Sequence, residues 1–283
     1  MWKETGVQIV AVSAGSVAGV ATRIAVSNAA VTFFPQSSQL SVNLLGSFII
    51  GVLVGFSPLI GKRFEWTYVG LTVGFCGSLT TFSSWIYNML RPSADWSIEL
   101  LTGLSMPVLA VLFGRDLAMG VMKAFAGPQE SPKRDQPLRH HKMVDGCLVA
   151  GLVVAVVATT VSLVATNAVS VTDAVSCSVG PIGALTRFAL SKFVNPIFEN
   201  FMLGTFSANV IACVIAGALG SCKLDNDWCE YSVVGIAGSL STVSSWAAET
   251  LKIYTKKSPE WAYFYCLFSV AVGVAVTIPF APN

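Results

Sequence analysis

Charge is what this chain has least of. Lys, Arg, Asp and Glu make up 11% of its 283 residues, while 54% are hydrophobic. Soluble domains carry charge on about a quarter of their residues, so an ordinary soluble domain is excluded and the membrane class is indicated. The net charge of +2 is too small to suggest nucleic acid as a partner. Histidine occurs twice, as His140 and His141, with no second ligand pair to make a metal site. The seven cysteines contain no CxxC pair and no zinc spacing. Cys76, Cys147, Cys177, Cys213 and Cys266 lie in or beside apolar runs, as small core residues do. Cys222 and Cys229 fall between two runs, where either a disulfide or two free thiols is consistent with the spacing. There is no Walker motif, so ATP does not drive the protein. No span holds a chain of carboxylates or histidines as a proton relay. No nucleophile and base are arranged as in an enzyme. No cleavable signal peptide is evident, because the first apolar run is too long for one.

What the chain does have is long apolar runs. Nine are long enough to cross a bilayer core of about 30 Å as helices: near 6–28, 40–60, 66–89, 98–122, 146–166, 170–193, 202–221, 228–251 and 261–281. They are continuous and do not alternate in polarity, which argues against a β-barrel. The stretch "GPQESPKRDQPLRHHK", Gly127 to Lys142, is charged and proline-containing and reads as a surface loop. With the N-terminus placed in the cytoplasm, the inner loops hold Lys3, Lys62, Arg63, Lys123, Lys133, Arg134, Arg139, Lys142, Lys192, Lys252, Lys256 and Lys257, and the outer loops only Arg91 and Lys223. Excess lysine and arginine marks the cytoplasmic side, so the N-terminus is expected inside and the C-terminus outside.

The chain repeats itself. "GVATRIAVSN" at Gly19 returns as "GALTRFALSK" at Gly183, and "LSVNLLGSFIIGVL" at Leu40 as "FSANVIACVIAGAL" at Phe206. "GFCGSLTTFSSW" at Gly74 returns as "GIAGSLSTVSSW" at Gly235. Three matches in one order at nearly one spacing indicate a duplicated four-helix unit. The expected organisation is a first repeat over 1–126, a charged loop over 127–144, a linker helix over 145–167 and a second repeat over 168–283. Four helices return the chain to its starting side. The linker carries it across once more, so the second repeat is inverted, and inverted repeats place a pathway near the midplane of the membrane.

The repeated segments are polar where polarity is costly. Glycines followed by Ser78, Thr80 and Thr81 weaken a helix at its middle. Such a stretch either lets two helices pack closely or unwinds, freeing carbonyls for a cation and amides and hydroxyls for an anion. Asn43 and Asn209 hold matched positions. Each offers two N–H donors without net charge and serves either a passing anion or an interhelical hydrogen bond. Arg23 and Arg187, also matched, lie near helix ends; facing aqueous vestibules, they would attract anions. Phe82 and Trp85 share a helix face, as do Val243 and Trp246. A ring edge is positive and can meet an anion, although ordinary packing also accounts for these rings. Ser83, Ser84, Ser244 and Ser245 add hydroxyls beside them.

With these residues the chain resembles the Fluc (CrcB-type) fluoride channels, and within them the eukaryotic fluoride exporters, in which two Fluc-like units are joined by a linker helix. The specific parts are "VNLLGSFIIG" and "GFCGSLTTFSSW", and the likeness spans nearly all of the chain outside the linker and the charged loop. The resemblance implies an all-α polytopic protein of two inverted four-helix repeats acting as a single-chain pseudo-dimer. It implies passive, electrogenic fluoride export across the plasma membrane, with fluoride and the lipid bilayer as partners and no enzymatic activity. It implies a pathway lined by Asn43, Asn209, Phe82, Trp85, Val243, Trp246 and a polar track through Thr81, Ser83, Ser84, Thr242, Ser244 and Ser245. It implies a structural sodium ion held by the carbonyls of Gly77, Thr80, Gly238 and Ser241. The family has Phe at both ring positions, whereas this chain keeps only Phe82. One pathway would therefore combine Phe82 with Trp246 and conduct; the other would combine Val243 with Trp85 and be degraded. The competing expectation is a proton-coupled exporter of fluoride or another small solute, with Glu249 as the coupling group.

Overall fold

The computed structural model describes residues 2–33, 38–92, 94–125, 138–165, 170–220 and 227–281. Among them it is helical throughout, without strands. The first repeat comprises α1 (Trp2–Phe33), α2 (Ser38–Ile60), a broken third helix, and α4 (Trp96–Phe125). The third helix runs as α3a over 65–79, breaks at Thr80 and Thr81, and resumes as α3b (Phe82–Met89). A linker helix α5 (Leu138–Ala165) follows. The second repeat comprises α6 (Val171–Phe193), α7 (Leu203–Gly220), a broken helix of α8a over 227–240 and α8b (Ser244–Lys256), and α9 (Pro259–Thr277). Cys222, of the cysteine pair considered above, lies outside the described residues.

Seven of these segments are long and apolar enough to cross a membrane. The two that fall short are α6, which carries Asp173, Arg187 and Lys192, and the broken α8, which carries Asp227, Glu230, Glu249, Lys252 and Lys256. Their polar groups face protein in part: Ser176, Arg187 and Thr250 are buried. A helix wrapped by its neighbours need not be apolar on every side.

The linker helix starts earlier than the composition suggests, at Leu138, inside the stretch read as loop. Pro137 is the last residue there that opposes a helix. Asp145 of α5 then docks the linker on the first repeat. Its carboxylate accepts from the backbone N–H of Trp66 at 2.8 Å and of Thr67 at 2.9 Å, and from the Thr67 hydroxyl at 2.6 Å. These are orphan amides at the start of α3a, where a negative charge is favoured. Lys142 pairs with Glu4, and His141 sits edge-on to Phe64 with ring centroids 6.2 Å apart.

The repeats run in opposite directions. Lys192 near the end of α6 reaches Gln8 near the start of α1, while Gly180, earlier in α6, faces Ser16 and Val20, later in α1. The broken helices cross in the same sense: Cys76 meets Ser244, Thr80 meets Thr242, and Ser83 meets Ser241. Past the crossing each short helix enters the other repeat. α3b packs on α7 and α9, and α8b packs on α2 and α4. Gly19 and its copy Gly183 allow the close approach, since a Cβ on either would run into the backbone of the adjacent broken helix, at Phe75 and Ile236 respectively.

Candidate functional site: the crossing of two broken helices

Each break is held open by an asparagine. Asn43 accepts from the Thr81 N–H at 2.9 Å and donates to the Thr81 carbonyl at 3.3 Å. Asn209 does the same at Thr242, with distances of 2.7 and 3.2 Å. In a continuous helix the Thr81 N–H would bond the carbonyl of Gly77, and the Thr242 N–H that of Gly238. Later donors are diverted too, those of Ser83, Val243 and Ser244 to hydroxyls of the opposite repeat. Ser84 N–H donates to the Thr81 hydroxyl and Ser245 N–H to the Thr242 hydroxyl, both at 3.2 Å. Those amides would otherwise serve the carbonyls of Thr80 and Ser241. Thr80 and Ser241 are accordingly extended, with ψ of 151° and 159°. Of the two expected uses of the asparagines, the structure shows interhelical clamping, which engages one of the two N–H donors of each amide.

Above each break lies a helical stretch of unusual pitch. Gly70–Cys76 and Tyr231–Ala237 are π-helical, seven residues each, at matched positions. Such widened turns are uncommon and gather at functional sites. Nothing in the residue pattern signals them beyond the glycines that let α1 and α6 press against them.

At the crossing the hydroxyls knit the two breaks together. Thr80 contacts the hydroxyls of Thr242 at 3.2 Å and Ser244 at 3.0 Å. By the same symmetry Ser241 contacts Thr81 at 3.2 Å and Ser83 at 3.0 Å. Thr81 also donates to Ser84 at 3.0 Å. Apart from the half-buried Ser84 and Ser245, all of these side chains are buried. A buried polar group without a partner is costly, and here the partners come from the opposite repeat.

The arginines also exchange between repeats. Arg187 donates to the Val73 carbonyl of the first repeat at 2.9 Å and to the Ser239 carbonyl of its own at 3.0 Å. Arg23 donates to Val234, the counterpart of Val73. A Cβ on Gly77 would collide with the Arg187 guanidinium, and one on Gly238 would stand 2.6 Å from that of Arg23. Both arginines are buried, at 4% and 1% exposure. The expectation that they face aqueous vestibules is thus corrected. Each is drawn inward because the negative end of a half-helix and its carbonyls provide a seat for a cation.

The rings lie in one cluster. Phe82 meets Trp246 at 5.8 Å between centroids and Trp85 at 5.4 Å, and the two tryptophans are 6.3 Å apart. All three, and Val243, are buried. The matched tryptophans differ in their polar ends. Trp85 Nε1–H donates to the Glu99 carbonyl at 3.1 Å. Trp246 Nε1 is buried with no hydrogen-bond partner among the described residues.

The partners of Glu249, the expected coupling group of the competing reading, were not anticipated. Glu249 on α8b accepts from Thr205 at 2.7 Å, Tyr265 at 2.8 Å and Asn195 at 3.3 Å. Three donors solvate this carboxylate in place. Beside it a cavity of about 320 Å³ is lined in part by Asn195, Glu199, Lys252, Lys256 and Lys257. The close run of lysines was visible in the sequence, but their approach to Asn195 depends on the turn after α6.

Comparison with known proteins gives the same two-fold division. A family model described as CrcB-like protein, Camphor Resistance (CrcB), matches residues 10–127 and again 174–279. Fluoride export protein 1 of Candida albicans is 28% identical over 236 residues, covering 74% of this chain and 59% of that protein. The Fluoride-specific ion channel FluC of Helicobacter pylori (strain Shi470) is 33% identical over 102 residues, or 34% of this chain and 78% of that one. The protein of the same name from Haemophilus influenzae (strain PittGG) is 30% identical over 91 residues, or 30% of this chain and 70% of that one. No solved structure matches.

Proposed function

The chain belongs to the CrcB-like family, and from that premise we propose that it is a fluoride-selective anion channel for passive, electrogenic export of cytoplasmic fluoride. The observation that carries the reading is the antiparallel crossing of two broken helices, sealed by Thr80, Thr81, Ser83, Ser241, Thr242 and Ser244. Hydroxyls, a ring edge and an uncharged amide bind an anion without trapping it, which suits a conducted ion better than a fixed charge would. The names of the relatives point to the same ion. Nine crossings, with the N-terminus cytoplasmic and the C-terminus outside, follow from the lysine and arginine distribution. The plasma membrane is where export would be useful. There an inside-negative potential drives an anion outward with about 2.3 kcal/mol per 100 mV.

In this reading one chain supplies what two subunits would otherwise supply, with the repeats at 1–126 and 168–283 and the linker between them. The Phe82 and Trp246 pathway conducts, and the Val243 and Trp85 pathway is degraded for lack of an aromatic at Val243. Arg23 and Arg187 brace the breaks from across the pseudo-two-fold axis. Their positive charge lowers the electrostatic barrier to an anion at the crossing.

A sodium ion fits the crossing on donor chemistry. The carbonyls of Gly77, Thr80, Gly238 and Ser241 are among those at the breaks whose usual helical donors bond elsewhere, here to Asn43, Thr81, Asn209 and Thr242. Hard cations take such oxygen ligands. A cation there would supply a fixed charge joining the two breaks.

The reading is tested by fluoride release from liposomes holding the purified chain, under valinomycin and a potassium gradient, with chloride as the control. Fluoride release that requires valinomycin supports an electrogenic channel. Absence of fluoride release, or chloride release at the same rate, overturns it. Phe82→Ile separates the two pathways, since flux that survives it unchanged would remove the Phe82 pathway from the account.

A further inference from the structure

The two tryptophans occupy equivalent positions, end equivalent dodecamers and are equally buried, yet their indole N–H groups have opposite fates. That of Trp85 is consumed by the Glu99 carbonyl, with the ring seated against Gly103, where a Cβ would collide with it. That of Trp246 is buried and has no acceptor among the described residues. Buried indole N–H groups usually find a partner, and a buried donor left unmade is costly. An exception at the crossing points to a ligand. An N–H is a donor only, so the ligand must be an acceptor, which rules out a cation. Trp246 shares the ring cluster with Phe82, 5.8 Å between centroids, and follows Ser244 and Ser245 in the chain.

We propose that the Trp246 indole N–H donates a hydrogen bond directly to the anion as it passes the Phe82 ring. This rests on the fluoride-channel reading and deepens it by naming a selectivity element. A charge-assisted N–H bond is short and directional. It favours fluoride, the halide with the most concentrated charge, over chloride, which is larger and a weaker acceptor. The second pathway lacks both features at once: Val243 replaces the ring, and the Trp85 N–H is already bound. The asymmetry between pathways therefore lies in hydrogen bonding as well as in the Phe82 to Val243 difference.

The test has two arms. In liposomes, Trp246→Phe keeps a ring and deletes the donor; fluoride flux should fall about tenfold, and preference over chloride should fall with it. Trp96→Phe, at an exposed position outside the crossing, should leave both unchanged. In the second arm the wild-type chain, with ¹⁵N in its indoles, is titrated with sodium fluoride and then with sodium chloride. It has seven tryptophans and so seven indole signals. The Trp246 signal, identified by its loss in Trp246→Phe or Trp246→Tyr, should move with fluoride and not with chloride. The Trp85 signal should stay. A Trp246→Phe channel with wild-type flux and selectivity overturns the proposal. So does a Trp246 signal that fluoride does not move, which would leave water as the acceptor. Wild-type liposomes that release no fluoride would instead overturn the channel reading, and the titration would still decide whether Trp246 binds the ion.

Discussion

Removing the Asn43 side chain should cost far more than one hydrogen bond. In Asn43→Ala the Thr81 N–H and carbonyl, on a residue 1% exposed, lose the bonds of 2.9 and 3.3 Å that hold the break open. Each buried backbone group left without a partner costs about 1–3 kcal/mol, so the open break loses about 2–6 kcal/mol. Against a total stability of about 5–15 kcal/mol that is a large fraction. The chain can recover part of it only by letting the Thr81 N–H return to the Gly77 carbonyl, which heals the helix and abolishes the site. Either way fluoride flux is lost. Asn43→Asp tests the geometry further: a carboxylate still accepts from the Thr81 N–H but has no donor for its carbonyl, so the loss should be intermediate. Asn209→Ala should match Asn43→Ala, because the Asn209 contacts with Thr242 are the same. The assay is thermal unfolding of detergent-solubilised protein followed by tryptophan fluorescence, paired with liposome flux. Asn43→Ala with an unchanged melting midpoint and unchanged flux would refute the clamp.

Three other outcomes are expected. Gly77→Ala puts a methyl group into the Arg187 guanidinium and should prevent folding or abolish flux, as a buried cation displaced from its carbonyls has no other seat; normal yield and flux would contradict that packing. Glu249→Gln keeps one acceptor oxygen, for Thr205 and Asn195, while its NH2 faces the Tyr265 hydroxyl oxygen as a donor; it should leave the voltage dependence of flux intact, whereas a flux that lost its dependence on a proton gradient in this variant would revive the coupled exporter. Asp145→Ala strips a cap from two amides of α3a and should destabilise the chain by about 0.5–2 kcal/mol without changing selectivity, measured by melting midpoint and by the fluoride to chloride flux ratio.

The duplication made the architecture legible. α6 and α8 fall short of the hydropathy of the other seven segments; their apolar runs near 170–193 and 228–251 suggest helices, and their likeness to α1 and α3 assigns them to a second repeat. The breaks were visible as glycine followed by threonine or serine, since such residues compete with the helix for backbone bonds. What the sequence could not convey was which atom meets which. Asn43 offers the same groups to an anion and to a backbone, and only the packing of α2 on α3 decides for Thr81. Arg23 and Arg187 lie near helix ends, where either snorkelling or burial is available; the outcome depends on carbonyls of the opposite repeat. Trp85 and Trp246 are identical by position, and their difference arises from Glu99, on a helix that follows the motif. Local pattern thus specified the elements and the breaks, while contacts between repeats specified the chemistry.

The central claim is a passive fluoride pathway inside one chain. Its most direct test is the reversal potential of the current carried by the reconstituted protein under a tenfold fluoride gradient, with chloride equal on both sides, with and without an imposed pH gradient. The account predicts a reversal potential of about 59 mV, set by fluoride and unmoved by pH. A reversal potential near zero, or one that shifts with the pH gradient, would contradict it.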